Sequence, residues 1–151
     1  MPDLNFYRFH SEWSVPAGFE RTYEVLRNLP TYAAWWPEVK SVIPISEDQA
    51  VVLIMGLLPY SLEFLMDRQV DDPEAGILKA RMRGDLEGFS SWRVERSDGG
   101  CRLVYDQEVE VAKKLLRKLA PVARPLFIAN HALMMRRGES GLRKYLQSAA
   151  E

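Results

Sequence analysis

Turn-forming residues recur about every ten positions between Val39 and Val111, at "EDQ", "GLLP", "DDPEAG", "GDLEG" and "SDGG". That interval holds one strand and one tight turn, so the pattern predicts consecutive antiparallel strands. The runs between the turns read "VKSVIPIS", "AVVLIMG", "YSLEFLMDRQV", "ILKARMR", "FSSWRVER" and "RLVYDQEVEV". A further strand opens the chain. In "NFYRFHSEWSV", Tyr7, Phe9, Ser11, Trp13 and Val15 share one face, and Phe6, Arg8, His10, Glu12 and Ser14 the other. Seven strands are therefore expected. Pro44 lacks a ladder donor, which weakens its strand or places it at a sheet edge.

Helical spacing occurs in two places. In "AGFERTYEVLRNL", Phe19, Thr22 or Tyr23, Leu26 and Leu29 recur at intervals of three to four, after Pro16 and before Pro30. "TYAAWWP" has room for one or two more turns, ended by Pro37. The second place runs from about Lys113 to Gln147. With Phe127 at the centre of a helical wheel, Leu116, Ala120, Ala123, Met134, Gly138, Gly141 and Tyr145 lie within about 40° of it. Ser140, Glu139, Arg136 and Arg143 lie on the far side. Pro121 and Pro125 predict a kink or break near residues 120–125. A strand, two short helices, six strands and one long helix make an α+β plan. The last helix, about 45 Å if straight, is long enough for a curved sheet to wrap.

Composition limits the function classes. A chain of 151 residues suits one domain with one core, here 1–151. A net charge of −1 gives no overall attraction to nucleic acid. No apolar run reaches the length of a membrane span, and the N-terminus has no basic start followed by an apolar run. One cysteine, Cys101 in the "DGGC" turn, fits a reducing cytoplasm, and with two histidines leaves too few ligands for the usual structural zinc site. No nucleophile elbow or phosphate-binding glycine loop is present, so no cofactor and no metal is expected. Charge is uneven. Residues 113–144 carry nine Lys or Arg and one acidic residue, Glu139, while the rest of the chain is acidic. That is either the solvated side of a helix or a basic face for an anionic ligand or membrane.

Alternation assigns inward faces. Tyr7, Phe9, Ser11 and Trp13 face in from the first strand, and Tyr60, Leu62, Phe64 and Met66 share a face of the fourth. The sixth offers Trp92 and Val94, and the seventh Leu103, Tyr105, Gln107 and Val109, with Asp106, Glu108 and Glu110 outward. His10 has outward parity. On the final helix, Phe127 and Met134 form an apolar floor. His131 lies about 40° to one side of it and Asn130 about 60° to the other. Gly138 and Gly141 are expected to leave room along that line. Adjacent Trp35 and Trp36 either both plug the core, or one packs on the core and the other lines the pocket mouth; Trp36 is carried as the lining residue. Leu57 and Leu58 form an apolar turn suited to a lid or a membrane contact.

The words "WSVPAGFERTYEVL", "WWPEVKSV", "LPYSLEF", "GDLEGFSSWRVE" and "ARPLFIANHALMMRRGESGLRKYL" span nearly the whole chain. In this layout the sequence resembles the START / polyketide cyclase-like (SRPBCC) superfamily, whose fold is the helix-grip. The resemblance implies a container for a hydrophobic small molecule between sheet and C-terminal helix. Members include lipid and sterol carriers, coenzyme Q-binding proteins, plant hormone receptors and polyketide aromatase/cyclases, and no universal catalytic motif is shared. Fold alone therefore leaves function open.

Two readings stand. The first is a binding or transport module, with Tyr7, Phe9, Ser11, Trp13, Trp36, Phe64, Trp92, Tyr105, Gln107, Phe127, Asn130, His131 and Met134 around the ligand. The second is an aromatase/cyclase-type enzyme using His131 and Tyr105 for proton transfer, with Gln107 assisting. The expected partner is a hydrophobic small molecule, with transient peripheral membrane contact as a further expectation.

Overall fold

The computed structural model describes residues 4–56 and 60–148. Seven strands form one antiparallel sheet: β1 Phe6–Val15, β2 Val39–Pro44, β3 Gln49–Met55, β4 Ser61–Asp72, β5 Ile77–Gly84, β6 Leu86–Ser97 and β7 Gly100–Val111. Their spatial order is β1-β7-β6-β5-β4-β3-β2. Every connection from β2 to β7 is thus a hairpin between neighbours, as the ten-residue spacing requires. Pro44 ends β2, an edge strand, where its missing N–H breaks no ladder bond.

The first two strands occupy opposite edges, so the segment joining them must cross the sheet. It does so as α1 (Phe19–Arg27), a 3₁₀ turn (Leu29–Thr31) and α2 (Tyr32–Trp35). Phe19, Thr22, Tyr23 and Leu26 bury one face of α1 against β6 and β7. Pro30 falls in the 3₁₀ turn.

After β7 the chain forms α3 (Lys114–Lys118) and α4 (Ala120–Ser148). The expected interruption lies at Leu119, one residue ahead of the predicted window. Pro121 can then sit in the first turn of α4, where no intrahelical donor is needed, and the helix continues through Pro125.

The buried stripe of α4 is Ala120, Phe127, His131, Met135, Gly138, Leu142 and Leu146. It is rotated from the wheel's centre, leaving Met134, Gly141 and Tyr145 half-buried. The cause is that α4 packs chiefly on β1 and α2. Gly138 and Gly141 do not leave open space, contrary to expectation. A Cβ on Gly138 would stand 2.6 Å from the Trp36 indole and 2.8 Å from Trp13, and one on Gly141 would run into the Trp35 carbonyl oxygen. The glycines admit α2.

Glu139 and Arg143, on the far side of the wheel, also make contacts to β1. The Ser14 N–H donates to Glu139 (3.0 Å), and the Arg143 Nε donates to the Ser14 carbonyl (2.7 Å). Arg124 donates to the carbonyls of Leu4 and Phe6, 2.9 Å each. Side chains of α4 thus occupy the open edge of β1.

Candidate functional site: a cavity between sheet and helix

A cavity of about 470 Å³ lies between α4 and the inner face of the sheet. Alternation along each strand supplies its wall: Val52 and Ile54 from β3, Leu62, Phe64 and Met66 from β4, Leu78, Ala80 and Met82 from β5, Ser90 and Trp92 from β6, and Tyr105 and Gln107 from β7. α4 adds Phe127, Asn130, His131 and Met134. Charge is confined to residues at the rim: Glu47, Asp48 and Lys79 are exposed, and Arg27 and Arg68 are half-buried.

Of the expected ligand contacts, Phe9, Trp36, Phe64, Trp92, Tyr105, Gln107, Phe127, Asn130, His131 and Met134 line this cavity. Tyr7, Ser11 and Trp13 do not. Strand β1 lies under α4 along its edge, and the helix covers its inward residues except Phe9. Tyr7 packs on Phe127 with ring centroids 4.6 Å apart and carries the Arg124 guanidinium on its ring. Trp13 is buried against Trp36 and Trp92, at 5.4 and 4.9 Å. Trp36 lines the cavity, while Trp35 borders a surface groove with Arg137 and Lys144.

A cluster of neutral polar groups on β6, β7 and α4 interrupts the apolar wall. Gln107 and Ser90 are cross-strand partners, as are Tyr105 and Trp92. The Tyr105 hydroxyl donates to Gln107 Oε1 at 3.2 Å. His131 Nε2 lies 3.1 Å from the same oxygen. A carbonyl oxygen only accepts, so this contact requires the Nε2–H tautomer. The imidazole also stacks on Phe9, with centroids 3.6 Å apart and planes 9° from parallel. Burial pushes its pKa down to about 4, so the ring is neutral at pH 7. Burial likewise raises the Tyr105 hydroxyl above its ordinary value, with Ser90 partly opposing the rise.

The glycine notch serves this wall too. Trp36 Nε1 donates to the Met134 carbonyl at 2.9 Å, satisfying a buried indole N–H while its ring faces the cavity. At the β3–β4 end, the Asn130 amide lies beside Gly56, where any Cβ would come within 2.6 Å of it. Burial pushes the nearby Tyr60 hydroxyl up to about 12, against the opposing influence of the Asn130 side chain.

At the other rim, Arg68 of β4 ties two lips together. Its guanidinium reaches Asp48 in the β2–β3 turn at 3.3 Å and the Arg27 carbonyl at the end of α1 at 2.9 Å. The expected lid residues Leu57 and Leu58 lie outside the described residues. His10 is exposed on the outer face, against Asp106 at 2.6 Å and Glu12 at 3.0 Å. Cys101 is buried within β7 instead of standing in the turn, and is not among the lining residues.

Sequence reasoning missed Ser90 and the β3 and β5 faces. The signal was available: Ser90 shares parity with Trp92, and Val52/Ile54 and Leu78/Met82 alternate in the same way. Among the described residues, no group of three or more His, Cys, Asp and Glu side chains is placed to hold a metal ion.

A curved antiparallel sheet, a gripped C-terminal helix and a cavity between them define the START / polyketide cyclase-like class. The chain belongs to the family described as polyketide cyclase / dehydrase and lipid transport, whose model matches residues 8–147. Similar solved structures show the same fold at low identity. The protein TTHA0849 from Thermus thermophilus is 17% identical, with a TM-score of 0.82 over 96% of this chain and 100% of that one. The Zhui aromatase/cyclase from Streptomyces sp. R1128 is 14% identical, with 0.80 over 97% and 96%. A START superfamily protein from Mycobacterium smegmatis is 15% identical, with 0.72 over 95% and 98%. No curated protein matches the sequence. Among the described residues no helix is long and apolar enough to cross a membrane.

Proposed function

We propose that the protein binds and carries a hydrophobic small molecule, lipid-like or aromatic, in the cavity between sheet and α4. The carrying observation is the wall itself: largely aromatic and aliphatic, with charge kept to the rim and a neutral cluster, Tyr105–Gln107–His131, to orient a polar group of the ligand. A volume of about 470 Å³ falls in the range of small-molecule sites. The family description, which names both polyketide cyclase / dehydrase and lipid transport, and the likeness in fold to an aromatase/cyclase and to a START superfamily protein support the ligand class.

The same cluster is the basis of the second reading, an aromatase/cyclase. His131 and Tyr105 would then assist proton transfer on a polyketide held against Gln107. The cluster's chemistry favours the carrier. An imidazole with a pKa near 4 is a weak base, and the carboxylates that border the cavity, Glu47 and Asp48, sit exposed at its rim. The test is incubation of the purified protein with extracted lipids and polyketide precursors, followed by mass spectrometry. Recovery of an unchanged bound molecule supports the carrier. Turnover that is lost in His131→Ala or Tyr105→Phe while binding persists supports the enzyme, and recovery of neither ligand nor product overturns both.

A further inference from the structure

The helical end of the chain carries two apolar stripes. One faces the sheet: Leu116, Ala120, Phe127 and His131 are buried. The other faces water. Leu115 of α3, Leu119 at the break, and Val122, Leu126 and Leu133 of α4 are exposed; the last three, spaced 4 and 7 residues apart, share one helical face. Their exposures are 59%, 50%, 71%, 52% and 36%, and Ala129, between the last two, is also exposed. Single exposed aliphatics are ordinary, but a line of them along one helix face marks an interaction surface.

Charge selects the occupant. Lys114, Lys118 and Arg136 are exposed on the same two helices, and the whole span 113–144 contains one acidic residue, Glu139, which is engaged by Ser14 and Arg143. A second copy of this chain would meet the stripe isologously, bringing cations of one copy against cations of the other. A surface both apolar and anionic has no such conflict. The stripe also lies on the helix whose other side contributes Phe127, Asn130 and Met134 to the cavity, next to the exposed Met55 and the Gly56–Asn130 contact. We infer that the outer face of α3 and the first half of α4 docks on an anionic lipid bilayer, with Leu115, Leu119, Val122, Leu126 and Leu133 in the acyl–headgroup boundary and Lys114 and Lys118 at the phosphates. Docking in this pose brings the β3–β4 end of the cavity to the membrane. That consequence rests on the proposed carrier function, whereas the docking itself does not.

The test is flotation with vesicles of phosphatidylcholine alone or with roughly one third phosphatidylserine, at about 0.05 M and about 0.5 M salt. The protein should float with the anionic vesicles at low salt and be released at high salt. Val122→Glu with Leu126→Glu, and separately Lys114→Glu with Lys118→Glu, should each weaken binding at least about tenfold. Circular dichroism and thermal unfolding should remain unchanged. Ile43→Glu with Ile45→Glu, at positions both 60% exposed near the β2 edge, should float like the parent protein. The inference is overturned by absence of flotation at low salt, or by an equal loss in the Ile43/Ile45 variant. A dimer in solution that dissociates in Leu126→Glu would also overturn it, because a second copy would then own the stripe. Ligand retention is read separately: a protein that keeps its ligand but does not float sinks only the docking, and one that floats empty sinks only the carrier reading.

Discussion

His131 carries the strongest single-residue consequence of this fold. Its imidazole is neutral because burial removes the solvent that would stabilise the cation, while Gln107 Oε1 and the Phe9 ring fix its position. In the unfolded chain the same ring titrates at about 6.5. The folded value lies below the unfolded one, so the stability held by neutral His131 is fully present above pH 6.5. It is lost as pH falls towards about 4, because the unfolded state takes up the proton first. Urea unfolding across that window should show stability declining by up to about 3 kcal/mol from this group. His131→Gln should flatten the decline, and a slope unchanged in the variant would assign it to other groups. Tyr105→Phe tests the other arm of the cluster. It removes one of two donors to Gln107 without creating a void, so a cost of about 1 kcal/mol is expected, read by the same unfolding curves.

At the scale of elements, the close approach of α4 to α2 decides where the cavity ends. Gly141 lies against the Trp35 carbonyl and Gly138 against the Trp36 indole, so a methyl group at either position must push the helix away. Gly141→Ala faces backbone, which cannot rotate aside. It should destabilise the protein by about 1–3 kcal/mol in thermal unfolding, despite alanine's better helix propensity. A neutral or stabilising result would show that α2 is free to shift. The wheel marked both glycines as special, but it could not distinguish room for a ligand from room for a tryptophan. Periodicity along one helix says nothing about what stands opposite. The same limit explains Tyr7, Ser11 and Trp13. Alternation put them on the inward face of β1, but not at the position where α4 and the aromatic core already cover that face. Trp92, Tyr105 and Gln107 were legible because β6 and β7 are central strands, where inward means towards the cavity. Glu139 and Arg143 lie on the far side, as the wheel has them, but a wheel does not show that the open edge of β1 supplies their partners.

For the whole molecule, hairpin spacing made the sheet legible, since six strands in succession with short turns have few other arrangements. The cavity was not legible in the same sense. It arises because the sheet meets α4 along β1 at one edge and is held off it elsewhere by the α1–α2 crossing, a consequence of opposite-edge strands being consecutive in sequence. A space of about 470 Å³ lined largely by apolar side chains leaves their surface unburied by protein. A ligand that fills it buries that surface and binds only the folded state. Saturation at about 100 times Kd should therefore stabilise the protein by about 3 kcal/mol, or roughly 5–10 °C in Tm for a domain of this size. Ala80→Phe places a ring in the same space from β5. This variant should lose the ligand-dependent shift while keeping or raising the Tm of the free protein, because the side chain fills that space itself. Arg68→Ala acts at the rim, releasing the lip between Asp48 and the end of α1, and should speed ligand dissociation more than it weakens folding. If Ala80→Phe retained the full ligand shift, the ligand would have to lie outside the cavity, and the container reading would fail.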